Sequence, residues 1–364
     1  MKILYLYTKV KIRQCLGIKN MTSVNKLFFL LCLLLIASCT KRDRDAIEGS
    51  VKTTLVTPDA MAQTKKVYDF LKANYGKNII SGMMAVVSWN TDEADRVYRW
   101  TGKYPALNGF DFIHLNHTTP GGWIDYDDIS VIEDWWAKNG LVSIMWHWNV
   151  PVSKGDSECA FYTNNTSFDI AKAVEEGTYE NRIIKDDLDK IAGYLLALQT
   201  KGIPVIWRPL HEAAGGWFWW GAKGPEPCKK LWTIMFEHFK SKGIKNLIWT
   251  WTTETNDLEW YPGDAYVDII GRDLYNRDNL SSISVEFEGI ESTYPDKIIA
   301  LSECGNVAEI HAQWKSGARW SWFMPWYDYV ATDVSTHQFA TKGFWINAFS
   351  SDNVITRDRM PSLK

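Results

Sequence analysis

The stretch Trp207-Arg-Pro-Leu-His-Glu-Ala-Ala-Gly-Gly-Trp-Phe-Trp-Trp-Gly221 places an acid where an apolar run breaks into glycines and aromatics. A carboxyl group at the end of a buried strand, beside indole faces, suits protonation of a sugar oxygen while the ring lies on the aromatic wall. A second acid, Glu303, stands in Ala300-Leu-Ser-Glu-Cys-Gly305, again at the end of an apolar run. Glycoside hydrolysis requires two such groups flanking the scissile bond. One must be protonated to assist the leaving oxygen, and the other ionised to attack the anomeric carbon or activate water, so their environments must split their pKa values. The blander reading is a buried glutamate paired with Arg208 among tryptophans that fill a core.

Both acids need a scaffold that brings distant strand ends together. From Pro58 onward, apolar runs alternate with amphipathic segments. Strands are expected at 78–83, 104–112, 141–148, 204–212, 246–252, 266–275, 297–304 and 319–326. Helices are expected at 61–75, 92–101, 130–139, 183–200, 227–242 and 284–294. Nearly continuous apolar strands separated by helices predict a parallel sheet covered on both faces. Eight units in about 270 residues fit an α/β fold of the (β/α)8 TIM-barrel type, whose catalytic residues sit at the C-terminal strand ends. Glu212 then follows strand four and Glu303 lies at strand seven. Long loops after strands three and four (149–181 and 213–227) fall on the same face. The sequence shows no internal repeat and no second domain, so 58–358 is expected to be one catalytic domain.

The Trp207–Gly221 stretch resembles the acid/base motif of glycoside hydrolase family 26, whose best-known members are β-mannanases. The likeness extends through Ser81-Gly82, Gly109-Phe-Asp111, Met145-Trp-His-Trp148, Gly271-Arg-Asp-Leu-Tyr275 and Glu303, over about residues 60–350. It implies a retaining β-1,4-mannanase acting on mannan, galactomannan or glucomannan through a covalent glycosyl-enzyme. Glu212 would be the acid/base and Glu303 the nucleophile. His211 would bond near the carboxylates or the sugar. Tyr275 would position the nucleophile, with Asp273 supporting it. His147 and Trp217 would line the subsites around the cleaved bond, and Trp326 would floor subsite −1. Against these stand quieter readings: core histidines at 147 and 211, an Asp273 that only pairs with Arg272 or Arg208, and a core Trp326. Trp146, Trp148, Trp219 and Trp220 divide between wall and core without assignment. Retention predicts carboxyl groups about 5–5.5 Å apart, inversion a wider gap.

The remaining sequence bounds the setting. Twenty tryptophans favour a carbohydrate or aromatic ligand over a merely packed interior. Residues 1–38 read as a leader with a signal peptide. Lys26 precedes the apolar run Leu27–Ala37, and Ile36-Ala-Ser-Cys39 resembles a bacterial lipobox, with Met1 or Met21 as the start. Cys39 is the expected lipidation site, and 39–57 the tether of an exported, outer-membrane-anchored lipoprotein. Setting aside the six cations ahead of Cys39 leaves 34 basic against 43 acidic residues, which gives no nucleic-acid surface. Expected partners are β-mannan or manno-oligosaccharides and, through Cys39, a bilayer; the chain is expected to be a monomer. No spacing predicts a zinc or calcium site or any cofactor. Cys159, Cys228 and Cys304 are too few for a disulfide framework, although Cys159 and Cys228 could pair from loops. Cys304 lacks the base a thiol mechanism needs and is expected to pack. The competing functions are another β-glycanase, such as a β-1,3-xylanase or mixed-linkage glucanase, and a non-catalytic glycan-binding lipoprotein.

Overall fold

Eight parallel strands run in chain order and close on themselves: β1 (Ile79–Met84), β2 (Leu107–Asp111), β3 (Leu141–Met145), β4 (Val205–Arg208), β5 (Leu247–Thr253), β6 (Ile269–Arg277), β7 (Ile298–Val307) and β8 (Trp322–Pro325). Each pairs with the next, and β8 returns to β1 with Ile80 opposite Trp322 and Ser81 opposite Phe323. The computed structural model describes residues 51–52, 54–116, 123–329 and 336–364. The leader 1–38, both candidate start methionines, Cys39 and most of the 39–57 tether lie outside the described residues.

The strands are buried on both faces, which is why they read as unbroken apolar runs rather than as alternations. Helices cover them outside: α1 (Ala62–Asn74), α2 (Asp92–Thr101), α3 (Ser130–Ala137), α4 (Tyr179–Thr200), α5 (Pro225–Ser241), α6 (Leu280–Thr293), α7 (Ile310–Ser316) and α8 (Lys342–Phe349). In α4 the apolar positions Ile184, Leu188, Ile191, Leu195 and Leu198 recur every three or four residues and are all buried. Each such side chain contributes roughly 1.5–3 kcal/mol when removed from water. Thr178 starts this helix by accepting the amide of Asn181 at 3.0 Å. The helix α5 starts instead with Pro225 in its first turn, where a missing N–H costs nothing.

The fold departs from sequence expectation mainly at short elements and at element ends. The short α7 and α8 were not predicted, because seven or eight residues carry too little periodicity. Between β5 and β6, where no helix was expected, stands a single 3-10 turn, Leu258–Trp260. The strands β3 and β4 stop at Met145 and Arg208, short of the predicted 148 and 212. The end of the expected tether is bound rather than free: Val56 donates to Asp268 at 2.7 Å and Thr57 to the Leu247 carbonyl at 2.7 Å, at the N-terminal ends of β5 and β6.

Over the opposite rim, the loops after β3 and β4 are stitched together. The β3 loop forms a two-residue hairpin, Val150–Pro151 with Cys159–Ala160. Thr163 then donates its amide to the Trp217 carbonyl at 2.7 Å and its hydroxyl to the Gly216 carbonyl at 2.8 Å.

Candidate active site

The chain leaves β4 through a tight, strained turn. Leu210 and Glu212 both adopt positive φ (47° and 52°), a left-handed conformation that non-glycine residues avoid and that concentrates at functional sites. The turn is held by the Trp220 indole, which donates to the His211 carbonyl at 2.9 Å, and it projects Glu212 over the rim.

On the other side, β7 carries an extra residue. Arg272 of β6 faces Leu301, but Asp273 faces Glu303, so Ser302 is unpaired in register; the β7–β8 pairing shifts over the same stretch. A regular strand sends consecutive side chains to opposite faces. This bulge lets both Ser302 and Glu303 turn toward the same cluster. Ser302 donates to Asp273 at 2.7 Å. Gly271 leaves the room this requires, because a Cβ there would lie 2.4 Å from the Ser302 hydroxyl.

Arg208, the last residue of β4 and fully buried, binds the cluster together. Its Nη1 donates to Asp273 at 3.0 Å and to Thr252 at 2.8 Å, and its Nη2 donates to Glu303 Oε1. Tyr275 donates to the other oxygen, Glu303 Oε2, at 2.9 Å. Burial, with Asp273 and Glu212 nearby, pushes the Tyr275 phenol well above its ordinary pKa, so it remains a donor. Both oxygens of Glu303 therefore face donors that favour the ionised form.

Glu212 has the opposite surroundings. Burial, then the negative charge of Asp273, raises its pKa to about 8; Arg208 opposes this, Glu254 adds to it, and the Trp217 indole, which donates to Oε2 at 3.0 Å, lowers it least. At neutral pH Glu212 holds a proton. One oxygen each of Glu212, Asp273 and Glu303 lies within 4.8 Å of the other two. Three carboxylates at this spacing could also gather around a cation, but Arg208 already occupies Asp273 and Glu303.

Two histidines form the wall beside this pair. Asp111, at the end of β2, accepts the His147 amide at 2.9 Å and bonds its Nδ1. His147 Nε2 lies 3.3 Å from His211 Nε2. In the tautomer whose Nδ1–H is donated to Asp111, the Nε2 of His147 is an acceptor for the N–H of His211. Burial first, then His147 and Arg208, drives the His211 pKa well below its usual value, so the ring is neutral. Its Nδ1 is buried without a partner among the described residues. The Trp326 ring closes the wall 5.8 Å from His147, its indole donating to Tyr329 at 2.9 Å.

The pattern described as glycosyl hydrolase family 26 matches residues 56–358. The chain belongs to glycosyl hydrolase family 26. It is 36% identical over 323 residues to mannan endo-1,4-beta-mannosidase B of Piromyces sp, covering 87% of this chain and 55% of that protein. It is 35% identical over 326 residues to a mannan endo-1,4-beta-mannosidase of Thermothelomyces thermophilus, covering 86% and 64%. The chain thus spans between half and two thirds of the length of these relatives. Among solved structures, the family 26 domain of a Prevotella bryantii endo-beta-mannanase/endo-beta-glucanase superposes with a TM-score of 0.79 at 39% identity, over 85% of this chain and 99% of that one. The beta-mannanase of a protist symbiont of the termite Reticulitermes speratus, solved with a gluco-manno-oligosaccharide, gives 0.75 at 37%, over 86% and 99%.

In this family 26 barrel, Glu212, Glu303, Asp273, Tyr275, His147, His211, Trp217 and Trp326 all gather at one rim. Trp217 is 44% exposed, whereas Trp326 is only 7% exposed. Trp146, Trp148, Trp219 and Trp220 are all buried and belong to the core. The alternative ion pair of Glu212 with Arg208 does not form, since Arg208 is turned to Asp273 and Glu303. Arg272 points away from Asp273, to Glu254 at 2.7 Å and Glu286 at 2.6 Å. Cys159, Cys228 and Cys304 are all free thiols, and Cys228 lies inside α5 rather than in a loop, so the Cys159–Cys228 pair is not made. Sequence reasoning missed Asp111 and Arg208 as site residues, although both stand in the motifs. An acid and a base at the ends of apolar strands, with no other reason to be buried, were the available signal.

Proposed function

We propose that this chain is a retaining endo-acting β-1,4-mannanase that works by double displacement. The observation that carries this reading is the split between two neighbouring carboxyl groups. Glu212 is protonated by its surroundings, and Glu303 is held between Arg208 and Tyr275 with both oxygens bonded. Glu212 gives its proton to the glycosidic oxygen as Glu303 attacks the anomeric carbon. The C–O bond to the leaving sugar breaks, and the glycone becomes esterified to Glu303. Glu212, now a carboxylate, takes a proton from water, whose oxygen displaces Glu303. Facing oxygens of Glu212 and Glu303 within 4.8 Å agree with the close carboxyl pair of a retaining mechanism rather than the wider gap that seats an attacking water, and so favour retention. The mannan preference is supported by the names of the relatives and by the gluco-manno-oligosaccharide bound in one of them.

Product analysis over time tests the substrate. Expected from β-1,4-mannan is an early mixture of manno-oligosaccharides, with little release from β-1,3-xylan or mixed-linkage glucan. Faster release from either of those, or mannobiose alone from the outset, would contradict the reading. Anchoring through Cys39 belongs to the same proposal: fatty-acid labelling of the expressed chain should disappear in Cys39→Ala.

A further inference from the structure

The segment 336–341 takes no part in the chemistry described, yet it packs against a residue that does. The Phe339 ring meets Tyr275 edge-on, with centroids 5.6 Å apart and planes at 75°. The approach is tight: a Cβ on Gly305, which lies opposite Tyr275 in the sheet, would fall 2.5 Å from the Phe339 ring and 2.7 Å from Tyr275. The Phe339 carbonyl accepts the amide of Asn306 at 2.8 Å, which fixes the segment to the end of β7.

The other side of Phe339 is anchored at considerable electrostatic cost. His337, 4% exposed, accepts the amides of Phe339 and Ala340 on Nδ1, at 3.0 and 2.9 Å. Its proton therefore sits on Nε2, which faces Glu93 at 3.4 Å. Glu93 pairs with Arg96 at 3.3 Å, and Arg96 with Asp328 at 3.1 Å; all three are buried. Buried charge clusters add little net stability, and their best-attested use is to fix one arrangement over others. Here the arrangement fixed is the seat of Phe339.

We propose that Phe339 is a positioning residue that holds the Tyr275 phenol on Glu303, with His337 and its buried ion cluster setting the ring. This rests on reading Glu303 as the nucleophile. Without the ring edge, Tyr275 swings through the space that Phe339 filled, and its hydrogen bond to Glu303 Oε2 lengthens. A donor to the ionised carboxylate is then weakened, which moves the ionisation of the nucleophile to higher pH.

The test is a double-mutant cycle of Phe339→Ala with Tyr275→Phe, read on an aryl β-mannobioside. In the wild-type background, Phe339→Ala is expected to lower kcat about tenfold with KM within about twofold. The acid limb of kcat/KM should move upward. Phe339→Tyr should restore both, since it keeps the ring. In the Tyr275→Phe background, Phe339→Ala should cost under about twofold. Equal losses in the two backgrounds, or a loss confined to KM with the acid limb unmoved, would overturn the proposal. Should Phe339→Ala not fold, Phe339→Leu supplies volume without a ring and enters the same cycle. Failure of the nucleophile reading shows separately, as turnover surviving in Glu303→Ala.

Discussion

Glu303 and Glu212 are the same residue type, with facing oxygens less than 5 Å apart and opposite surroundings. Glu303 lies within a bulged strand, and two donors, Arg208 and Tyr275, claim its oxygens. Glu212 stands on a strained turn, with one indole donor, acidic neighbours and a low-dielectric surround. The comparison shows how a barrel can hold an acid and a nucleophile side by side: the strand supplies hydrogen bonds to the one, and the loop supplies burial to the other. Arg208 makes the asymmetry, because its guanidinium pairs with Asp273 and Glu303 and forms no ion pair with Glu212.

The largest effects should come from removing either acid, and the two should differ in kind. Glu303→Ala is expected to lower kcat by about 10⁴-fold or more on every substrate. Glu212→Ala should cost about 10²–10⁴-fold on mannan, where the leaving oxygen needs a proton, and far less on a dinitrophenyl glycoside, where it does not. Equal losses on the two substrates would erase the distinction between the residues.

Arg208→Lys keeps the charge and loses the fork. Activity should fall about 10²–10³-fold, as for removal of one oriented donor. Thermal unfolding should also occur at lower temperature, since disturbing a buried pair leaves charge uncompensated. A variant of wild-type activity would detach Arg208 from the asymmetry.

Glu212 should also report on stability. Its folded pKa, about 8, lies above the ordinary value of 4.5, so between these limits the unfolded chain ionises while the folded one keeps its proton. The stability held below that window is lost as pH rises through it. Glu212→Gln removes the effect. Its Tm should match wild type at pH 4–5 and exceed it by roughly a few degrees at pH 8 and above. A constant difference across pH would mean that Glu212 is not held protonated.

The smallest expected effect concerns Trp217. Its indole stabilises the Glu212 carboxylate, so Trp217→Phe should move the basic limb of the pH–rate profile, expected near pH 8, to higher pH. A shift to lower pH would reverse the sign assigned to that bond.

The barrel and the positions of both acids were legible in the sequence, because strands buried on two faces leave long apolar runs and an acid at their end stands out. The roles of Glu212, Tyr275 and Asp273 were implied by motif resemblance, and the structure brings these residues to one rim. What could not be read is what depends on register and direction. The bulge at Ser302 has no sequence signature, yet it aims Glu303. The sequence offered Arg208 either Glu212 or Asp273 as a partner, and only the fold shows that it takes Asp273 and Glu303. Trp219 and Trp220 sit two and three residues beyond Trp217 but are buried, because the turn after β4 points them inward. Phe339 lies 64 residues from Tyr275, and nothing in local pattern connects them.

Covalent trapping tests the central division of labour most directly. Glu212→Ala, incubated with a dinitrophenyl 2-deoxy-2-fluoro-β-mannoside and digested, should yield one glycosylated peptide, modified at Glu303. Modification at Asp273, or no covalent adduct while dinitrophenol is released, would contradict the account.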